Sequence, residues 1–304
     1  MNQSCPVIAG PTGVGKTGLV TALADRHRIE VISLDSRQIY HGLRIGTAQP
    51  TAAEQADCPH HLVDFVSPAE KYDAARFRAD FERAYQDIAA RGSRPILVGG
   101  AGMYLTALQQ GFMDIPGGTP ARLAAVRASL ETLDDREVRT RLKAVDPESF
   151  ARIHANDRYR SQRALEIHLI CGETMTDLQA RQQPDPALGL AFPTFVLERP
   201  VGELDGRIAR RTRAMLAAGW VSEVRNILAE HAPDCPGLRS IGYREIVGHF
   251  AGRLDLEAME REIILSTRQY AKRQRTWFRP VAAAYRGAPE DPSLLASLDA
   301  CLAE

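Results

Sequence analysis

The feature that most constrains this chain is the octapeptide GPTGVGKT at residues 10–17, between an apolar run and a segment with helical periodicity. It fits G-x-x-x-x-G-K-[ST] in the strand–loop–helix context that this phosphate-binding loop requires. The loop amides and the helix N-terminus point at one phosphate, and the Thr hydroxyl can ligate Mg²⁺. We therefore predict a loop that binds a phosphorylated ligand, with Thr17 as a candidate magnesium ligand, formed by Gly10, Pro11, Thr12, Gly13, Val14, Gly15, Lys16 and Thr17.

Strand and helix patterns alternate through the first hundred residues. Three apolar strand patterns and two helical patterns are found, with strands at 5–9, 31–34 and 95–98 and helices at 16–26 and 77–90. This alternation predicts a parallel sheet covered by helices on both faces. Ligands of such sheets bind beyond the carboxyl ends of the strands, where the loop, Asp35 and Gly99-Gly100 would meet.

The pattern changes at residues 115–120, IPGGTP, a linker-like stretch. Residues 121–180 have helical patterns only, and a second breaker-rich stretch, QPDP at 183–186, precedes a strand pattern at 194–197. We predict a P-loop NTPase-like α/β core made of residues 1–115 and 188–304, with helices in its C-terminal part. Residues 116–187 would form a helical insertion.

Charge and cysteine content exclude several classes of protein. The 38 basic residues balance 38 acidic ones, so a polyanion must be bound by a local patch. The five cysteines are widely spaced, which argues against a disulfide framework or a zinc finger. No apolar run is long enough for a membrane span and the N-terminus does not resemble a signal peptide, so we expect a cytoplasmic protein.

Asp35 ends the second strand pattern, within DSRQIY at residues 35–40. Next to a bound diphosphate, its carboxylate is a candidate magnesium ligand or a candidate base for the group being alkylated. An Asp at such a place also caps turns, and spacing does not separate these roles. The GGAG turn at residues 99–102 could bring amides against a ligand, although a plain turn is favoured.

Three groups of basic residues are candidates for contacts with phosphate. Arg160 and Arg163 share one helix face, either to bind phosphate or as a solvated face in which Arg163 pairs with Glu166. Arg207, Arg210 and Arg211 belong to an amphipathic helix ending near Gly219. Four cations line one face of a later helix with no acid between 263 and 279, which predicts a polyanion contact by Arg268, Lys272, Arg275 and Arg279.

Together these segments resemble bacterial tRNA isopentenyltransferases, also called tRNA dimethylallyltransferases. The resemblance runs in family order from residue 10 to residue 279. It is carried by GPTGVGKT, DSRQIY (35–40), PHHLVD (59–64), VGG (98–100), RALE (163–166), IGYRE (241–245) and QYAKRQ-x-TWFR (269–279).

The resemblance implies transfer of a dimethylallyl group from its diphosphate to N6 of the adenosine that follows the anticodon of tRNAs reading codons that begin with U. It implies Mg²⁺, and a loop that holds diphosphate in place of ATP. Catalytic roles fall to Lys16, Thr17, Asp35 as acceptor of the N6 proton, and Arg207 or Arg211 on the diphosphate side. We expect a monomer whose insertion grips the anticodon arm. Contacts to tRNA are expected from Asp35, Ser36, Arg37, Gln38, Ala101, Tyr159, Arg160, Ser161, Gln162, Arg163, Arg239, Gly242, Tyr243, Arg244, Arg268, Lys272 and Arg275.

One position departs from the family pattern, because Ala101 stands where a threonine close to the reacting centre is usual. Either another group such as Ser36 substitutes for that hydroxyl, or the hydroxyl contributes little, or the chain is a slower or inactive relative. Since Lys16, Thr17 and Asp35 are intact, our hypothesis is retained activity.

Three other functions compete with tRNA prenylation. An adenylate isopentenyltransferase would alkylate free AMP, ADP or ATP, but it needs neither the insertion nor the later basic helix. A small P-loop kinase would need ATP and a set of lid arginines. A non-catalytic tRNA-binding relative would explain the arginines but leave the intact loop and Asp35 without a role.

Overall fold

The computed structural model describes residues 4–303. Within them the chain forms six strands: β1 Val7–Ala9, β2 Ile29–Leu34, β3 His60–His61, β4 Arg94–Gly99, β5 Thr194–Leu197 and β6 Tyr285–Gly287. The helices are α1 Lys16–Ala24, α2 Arg44–Thr47, α3 Ala52–Asp57, α4 Ala74–Ala90, α5 Gly102–Gln110, α6 Pro120–Glu131, α7 Asp135–Val145, α8 Pro147–Arg152, α9 Arg158–Cys171, α10 Met175–Arg181, α11 Val201–Ala217, α12 Trp220–Glu230, α13 Tyr243–Phe250, α14 Leu256–Phe278 and α15 Pro292–Ala303. Two 3₁₀ turns lie at Ala187–Gly189 and Gly237–Arg239.

All six strands belong to one parallel sheet with the order β3-β2-β4-β1-β5-β6. The central strand β1 pairs Ile8 with Val98 of β4 on one side and with Phe195 of β5 on the other. Strands β2, β3 and β4 lie on one side of β1, and β5 and β6 lie on the other, so the carboxyl end of β1 is the switch point at which such sheets bind ligands. The phosphate-binding loop follows β1 at this point.

Alternation along the strands divides the core into two layers, because successive side chains point to opposite faces of a sheet. Val7 and Ala9 pack with residues of α4 and α5, including the fully buried Phe77 and Phe81. Ile8 packs on the other face with residues of α1 and α15. The sheet is therefore covered on both faces, as the sequence predicts.

A third apolar cluster joins the C-terminal helices to the chain that follows β2. It combines Ile39 and Leu43 with residues of α12, α13 and α14, among them Trp220 and Ile263. This cluster anchors α14 to the segment that carries the DSRQIY residues.

Residues 110–185 form a second compact unit with its own apolar core. Its helices α6–α10 bury Leu130, Val138, Leu142, Ile153, Ala164 and Leu165. The buried Asp146 accepts hydrogen bonds from the Ser149 amide at 2.9 Å and the Thr176 hydroxyl at 2.7 Å. Burial alone would raise the pKa of Asp146, but these hydrogen bonds lower it, so the carboxylate that joins α8 to α10 stays ionised.

The predicted P-loop NTPase-like parallel core is confirmed. Strand β5 coincides with the predicted strand at 194–197, while the short edge strands β3 and β6 are not predicted from the sequence. No helix within residues 4–303 combines the length and the apolarity that crossing a membrane requires.

Candidate functional site

The phosphate-binding loop connects β1 to α1 at the carboxyl edge of the sheet. Gly13 and Gly15 have φ angles of +81° and +117°, in the left-handed region that favours glycine. Five amides of the loop and the first helical turn donate to no acceptor within residues 4–303, namely those of Gly13, Gly15, Lys16, Thr17 and Gly18. They form a ready anion-binding concavity at a helix N-terminus.

Lys16 lies over this loop, and its ammonium group donates to the carbonyls of Gly10 at 2.9 Å and Pro11 at 3.0 Å. Burial lowers the pKa of Lys16 to about 8, and the positive charge of Arg211 acts in the same direction. The negative charge of Asp35 partly opposes this decrease. Lys16, Asp35 and Arg211 are therefore close enough to influence one another's charge.

Asp35 follows β2 directly and uses one carboxylate oxygen to cap a turn. Its Oδ1 accepts hydrogen bonds from the amides of Arg37 at 2.7 Å and Gln38 at 3.3 Å. The second oxygen has no hydrogen-bond partner among the described residues, and the side chain lines a cavity. Turn capping and a chemical role are thus compatible, because they use different oxygens.

Two arginines of α11 contact the loop. Arg207 donates from Nε to the carbonyl of Gly13 at 2.7 Å, and Arg211 donates to the hydroxyl of Thr12 at 3.4 Å. Neither arginine forms an ion pair within the described part of the chain. Burial lowers the pKa of Arg211, because it removes water from the charged guanidinium group. The negative charge of Asp35 partly opposes this decrease, and the positive charge of Arg207 adds to it. Both guanidinium groups therefore remain available to an anion.

A cavity of about 1400 Å³ opens at this edge and is formed entirely by residues of the first compact unit. Three acids line it, Asp35, Glu54 and Asp64. Nine cations line it: Lys16, Arg37, Arg44, Arg207, Arg210, Arg211, Arg239, Arg244 and Arg273. A chain with no net charge thus has a strongly positive cavity. This cavity is a local basic patch of the kind that a protein with balanced charges needs in order to bind a polyanion.

The GGAG turn after β4 is a plain turn. The amides of Gly100 and Ala101 both donate to the carbonyl of Leu34 at 3.0 Å. The alternative in which these amides approach a ligand is wrong, because Leu34 already occupies them. Ala101 does not line the cavity, whereas Gly99 and Gly100 do.

Within DSRQIY, Ser36 and Arg37 line the cavity beside Asp35. The amide group of Gln38 is engaged by the protein, since it accepts from Ser33 at 2.8 Å and donates to the carbonyl of Ala48 at 2.8 Å. Gln38 therefore fixes the neighbouring cavity wall that includes α2.

The IGYRE segment divides into exposed and buried residues. Arg239, just before it, and Arg244 are exposed and line the cavity. Tyr243 is fully buried and donates to Glu223 at 2.6 Å, so the prediction that it touches tRNA directly is wrong. Gly242 is also buried, and a Cβ there would lie 2.0 Å from the Trp220 ring, so glycine at this place serves packing against Trp220.

In the insertion, the residues predicted to contact tRNA begin α9. Ser161 is fully buried and cannot contact RNA directly, and Gln162 donates to the carbonyl of Leu130 at 3.0 Å. Arg160 pairs with Asp157, and Arg163 pairs with Glu166, as the solvated-face alternative expects. Tyr159 is 78% exposed and is open to a partner.

The basic stripe of α14, which is Arg268, Lys272 and Arg275 with the C-cap residue Arg279, points away from the cavity. Tyr270, Arg273 and Gln274 line the cavity, and at 100° per residue the stripe falls on the opposite side of the helix. Arg268 lies 3.7 Å from Asp205, and the other three form no ion pair within residues 4–303. The stripe is therefore a second cationic surface, outside the cavity.

Three residues that line or support the site are not identified as site residues from the sequence: Glu223, Arg273 and Gln274. Tyr270, Arg273 and Gln274 lie at i, i+3 and i+4 in the QYAKRQ segment, a spacing that indicates one helix face. Glu223 gives no such signal. It accepts hydrogen bonds from the amides of Arg44 at 3.0 Å and Ile45 at 2.7 Å and so anchors α2 at the cavity.

The sheet order and the phosphate-binding loop define a P-loop NTPase-like α/β protein, and its arginine-lined cavity is suited to an anionic ligand. A profile of the family described as IPP transferase matches residues 38–280, and one described as Isopentenyl transferase matches residues 4–60. The tRNA dimethylallyltransferase of Halorhodospira halophila is 45% identical over 93% of this chain and 92% of its own length. That of Bordetella petrii is 42% identical over 92% of this chain and 91% of its own.

Solved structures agree with these sequence comparisons. A tRNA delta(2)-isopentenylpyrophosphate transferase from Staphylococcus epidermidis superposes with a TM-score of 0.68 at 29% identity, covering 98% of this chain and 97% of its own. A eukaryotic dimethylallyltransferase acting on tRNA gives a TM-score of 0.75 at 29% identity, covering 91% of this chain and 70% of its own. The chain belongs to the IPP transferase family.

Proposed function

We propose that the protein transfers a dimethylallyl group from dimethylallyl diphosphate to N6 of the adenosine that follows the anticodon in tRNAs reading codons that begin with U. The observation that carries the proposal is the position of Asp35, whose unpartnered oxygen faces a cationic cavity shared with the phosphate-binding loop. A cavity of about 1400 Å³ is large enough for a prenyl diphosphate and a flipped nucleotide together.

In the reaction, the allylic C–O bond breaks as the bond from N6 to that carbon forms, and diphosphate leaves. Negative charge develops on the leaving group, where Lys16, the loop amides and the guanidinium groups of Arg207 and Arg211 stabilise it. Asp35 accepts the proton that N6 loses. The exocyclic amine is a weak nucleophile, so removal of its proton is a necessary part of the transfer.

Magnesium fits the oxygen donors at this site. Thr17 offers a hydroxyl at the start of α1, and within residues 4–303 no group of three or more His, Cys, Asp or Glu side chains could hold a metal. We therefore propose Mg²⁺ held by Thr17, by diphosphate oxygens and by water, which is its usual coordination beside phosphates. When bound, the ion neutralises charge on the leaving diphosphate.

Cations and neighbouring polar side chains are proposed to hold the anticodon arm. Ser36, Arg37, Gln38, Arg239 and Arg244 belong to the cavity wall, and Arg268, Lys272 and Arg275 to the stripe. Tyr159, Arg160 and Arg163 of the insertion complete the set. We propose a cytoplasmic monomer, since one chain supplies both the donor site and the RNA-binding surfaces; light scattering on the purified protein tests this.

The experiment incubates the protein with Mg²⁺, radiolabelled dimethylallyl diphosphate and either unmodified tRNA or AMP. Label in tRNA alone, abolished by Asp35→Ala, supports the proposal. Label in AMP would make the protein an adenylate isopentenyltransferase, an alternative that the match of residues 4–60 to the Isopentenyl transferase profile motivates. No label with tRNA still bound would indicate a non-catalytic relative.

A further inference from the structure

Gln274 links two loops that are distant in sequence. Its side-chain oxygen accepts from the amide of Thr12 at 2.9 Å, and its side-chain nitrogen donates to the carbonyl of Gly100 at 3.1 Å. We propose that Gln274 is a positioning residue, which holds the phosphate-binding loop against the turn after β4 and so sets the place of the donor diphosphate. This inference rests on the proposed function, because the kinetic part of its test uses the transfer reaction.

The bridge is buried, since only 5% of Gln274 is exposed. Thr12 offers an N–H donor and Gly100 offers a carbonyl acceptor, so the residue between them must accept at one end and donate at the other. An amide does both, whereas a carboxylate only accepts and an apolar side chain does neither. A buried polar group left without its partner is costly, so the bridge constrains both loops.

The turn is shaped to receive this helix. A Cβ at Gly100 would lie 2.0 Å from Nε2 of Gln274, and a Cβ at Gly102 would lie 2.1 Å from the ring of Trp277. Gln274 and Trp277 are one helical turn apart, so α14 rests on the turn at two successive points. Glycine at positions 100 and 102 therefore leaves the space that allows α14 to pack closely against the turn.

The partner residue Thr12 also meets the donor side of the site. Its hydroxyl accepts from Arg211, while its amide is held by Gln274. On the same face of α14, Tyr270 and Arg273 line the cavity. One helix thus faces the cavity and is bonded to the loop that binds diphosphate, so loss of the bridge should disturb the donor more than the tRNA.

The test compares Gln274→Met, Gln274→Glu and the matched control Gln269→Met, at an exposed glutamine of the same helix. Binding of inorganic diphosphate with Mg²⁺ is measured by calorimetry, and kcat and both KM values are measured with tRNA from pH 6 to pH 9. We expect Gln274→Met to weaken diphosphate binding and raise the donor KM by about tenfold or more, to lower kcat, and to leave tRNA affinity within about twofold.

Gln274→Glu separates positioning from a merely structural role. A carboxylate at this buried place has a raised pKa, and its protonated form can again donate to Gly100. Relative to wild type at each pH, the Glu variant should be impaired at pH 9, where its ionised carboxylate cannot donate to Gly100 and repels diphosphate, and should recover towards pH 6.

Unchanged diphosphate affinity in a folded Met variant, or a Glu variant equally impaired at every pH, would overturn the proposal. If the Met variant fails to fold, the pH response of the Glu variant decides. Diphosphate binding does not depend on the acceptor, so an enzyme that fails to label tRNA refutes the proposed function without affecting this comparison.

Discussion

The hydroxyl of Tyr243 donates to Glu223 at 2.6 Å, and the same carboxylate receives the amides that begin α2. Tyr243→Phe removes one donor while keeping the shape of the core. We expect it to destabilise the fold by about 1 kcal/mol and to raise the tRNA KM severalfold, since Arg44 of α2 lines the cavity. The donor KM should stay unchanged, and chemical denaturation with steady-state kinetics measures both effects.

Glu223→Gln should have a larger effect on the same two quantities, because an amide offers one acceptor oxygen where the carboxylate has two. Glu230→Gln, at an exposed place on the same helix, serves as its control. Equal effects of the two substitutions would show that α2 does not depend on this carboxylate.

Lys16 should make donor binding depend on pH. Its lowered pKa of about 8 means that it is protonated below that pH and attracts diphosphate, and loses its charge as the pH rises through about 8. The dissociation constant for dimethylallyl diphosphate should therefore increase above pH 8, by at most about tenfold per pH unit. Lys16→Arg keeps its charge across this range and should remove the dependence; calorimetry from pH 6.5 to 9.5 would show a flat wild-type profile if the idea is wrong.

Arg211 should act on the leaving group. Arg211→Gln removes a cation that has no carboxylate partner within residues 4–303, and we expect kcat/KM for the donor to fall by about a hundredfold or more. Arg213→Gln, two residues away and paired with Glu260 at 2.7 Å, should change it less than threefold. Single-turnover rates with saturating tRNA would distinguish this from a binding defect.

Ala101 precedes α5, and its carbonyl accepts from the amide of Leu105 at 3.2 Å, which makes it the N-cap residue. Ala101→Thr should stabilise the protein by about 1 kcal/mol through a new cap. Because Ala101 does not line the cavity, turnover should change by less than about tenfold. An increase of a hundredfold or more would show that the missing hydroxyl limits this enzyme.

The stripe of α14 should contribute affinity without sequence preference. The pair Lys272→Gln and Arg275→Gln should weaken tRNA binding and decrease the slope of log affinity against log salt by about 1 to 2. Arg261→Gln, at a residue paired with Glu257 on the same helix, is the control. An unchanged salt slope would mean that RNA does not reach this face.

Local signals predict the parts of this molecule that depend on neighbouring residues. The loop at 10–17 and strand β5 are predicted closely, because glycine spacing and apolar runs are local properties. Strands β3 and β6 escape prediction since two or three residues show no period, and they pair only because the sheet is already present.

The sequence predicts what kind of site this is, but it does not predict all of the residues that form it. Tyr243 and Ser161 carry polar groups in promising segments, and only the packed structure shows that both point inward. Gln274 is uncharged among cations, and its role depends on Thr12, 262 residues away. Sequence periodicity does not predict contacts between distant segments of the chain.

One face of α14 lines the cavity and the opposite face carries the basic stripe. This arrangement restricts insertions and deletions within the helix. One extra residue inserted before Tyr270 would rotate the following helix by about 100° and raise it by about 1.5 Å. Gln274 would then leave the gap over Gly100, while the basic stripe would turn towards a different surface. Evolution can exchange side chains along this helix, but we expect it to reject single-codon insertions and deletions there, unlike in the exposed loops.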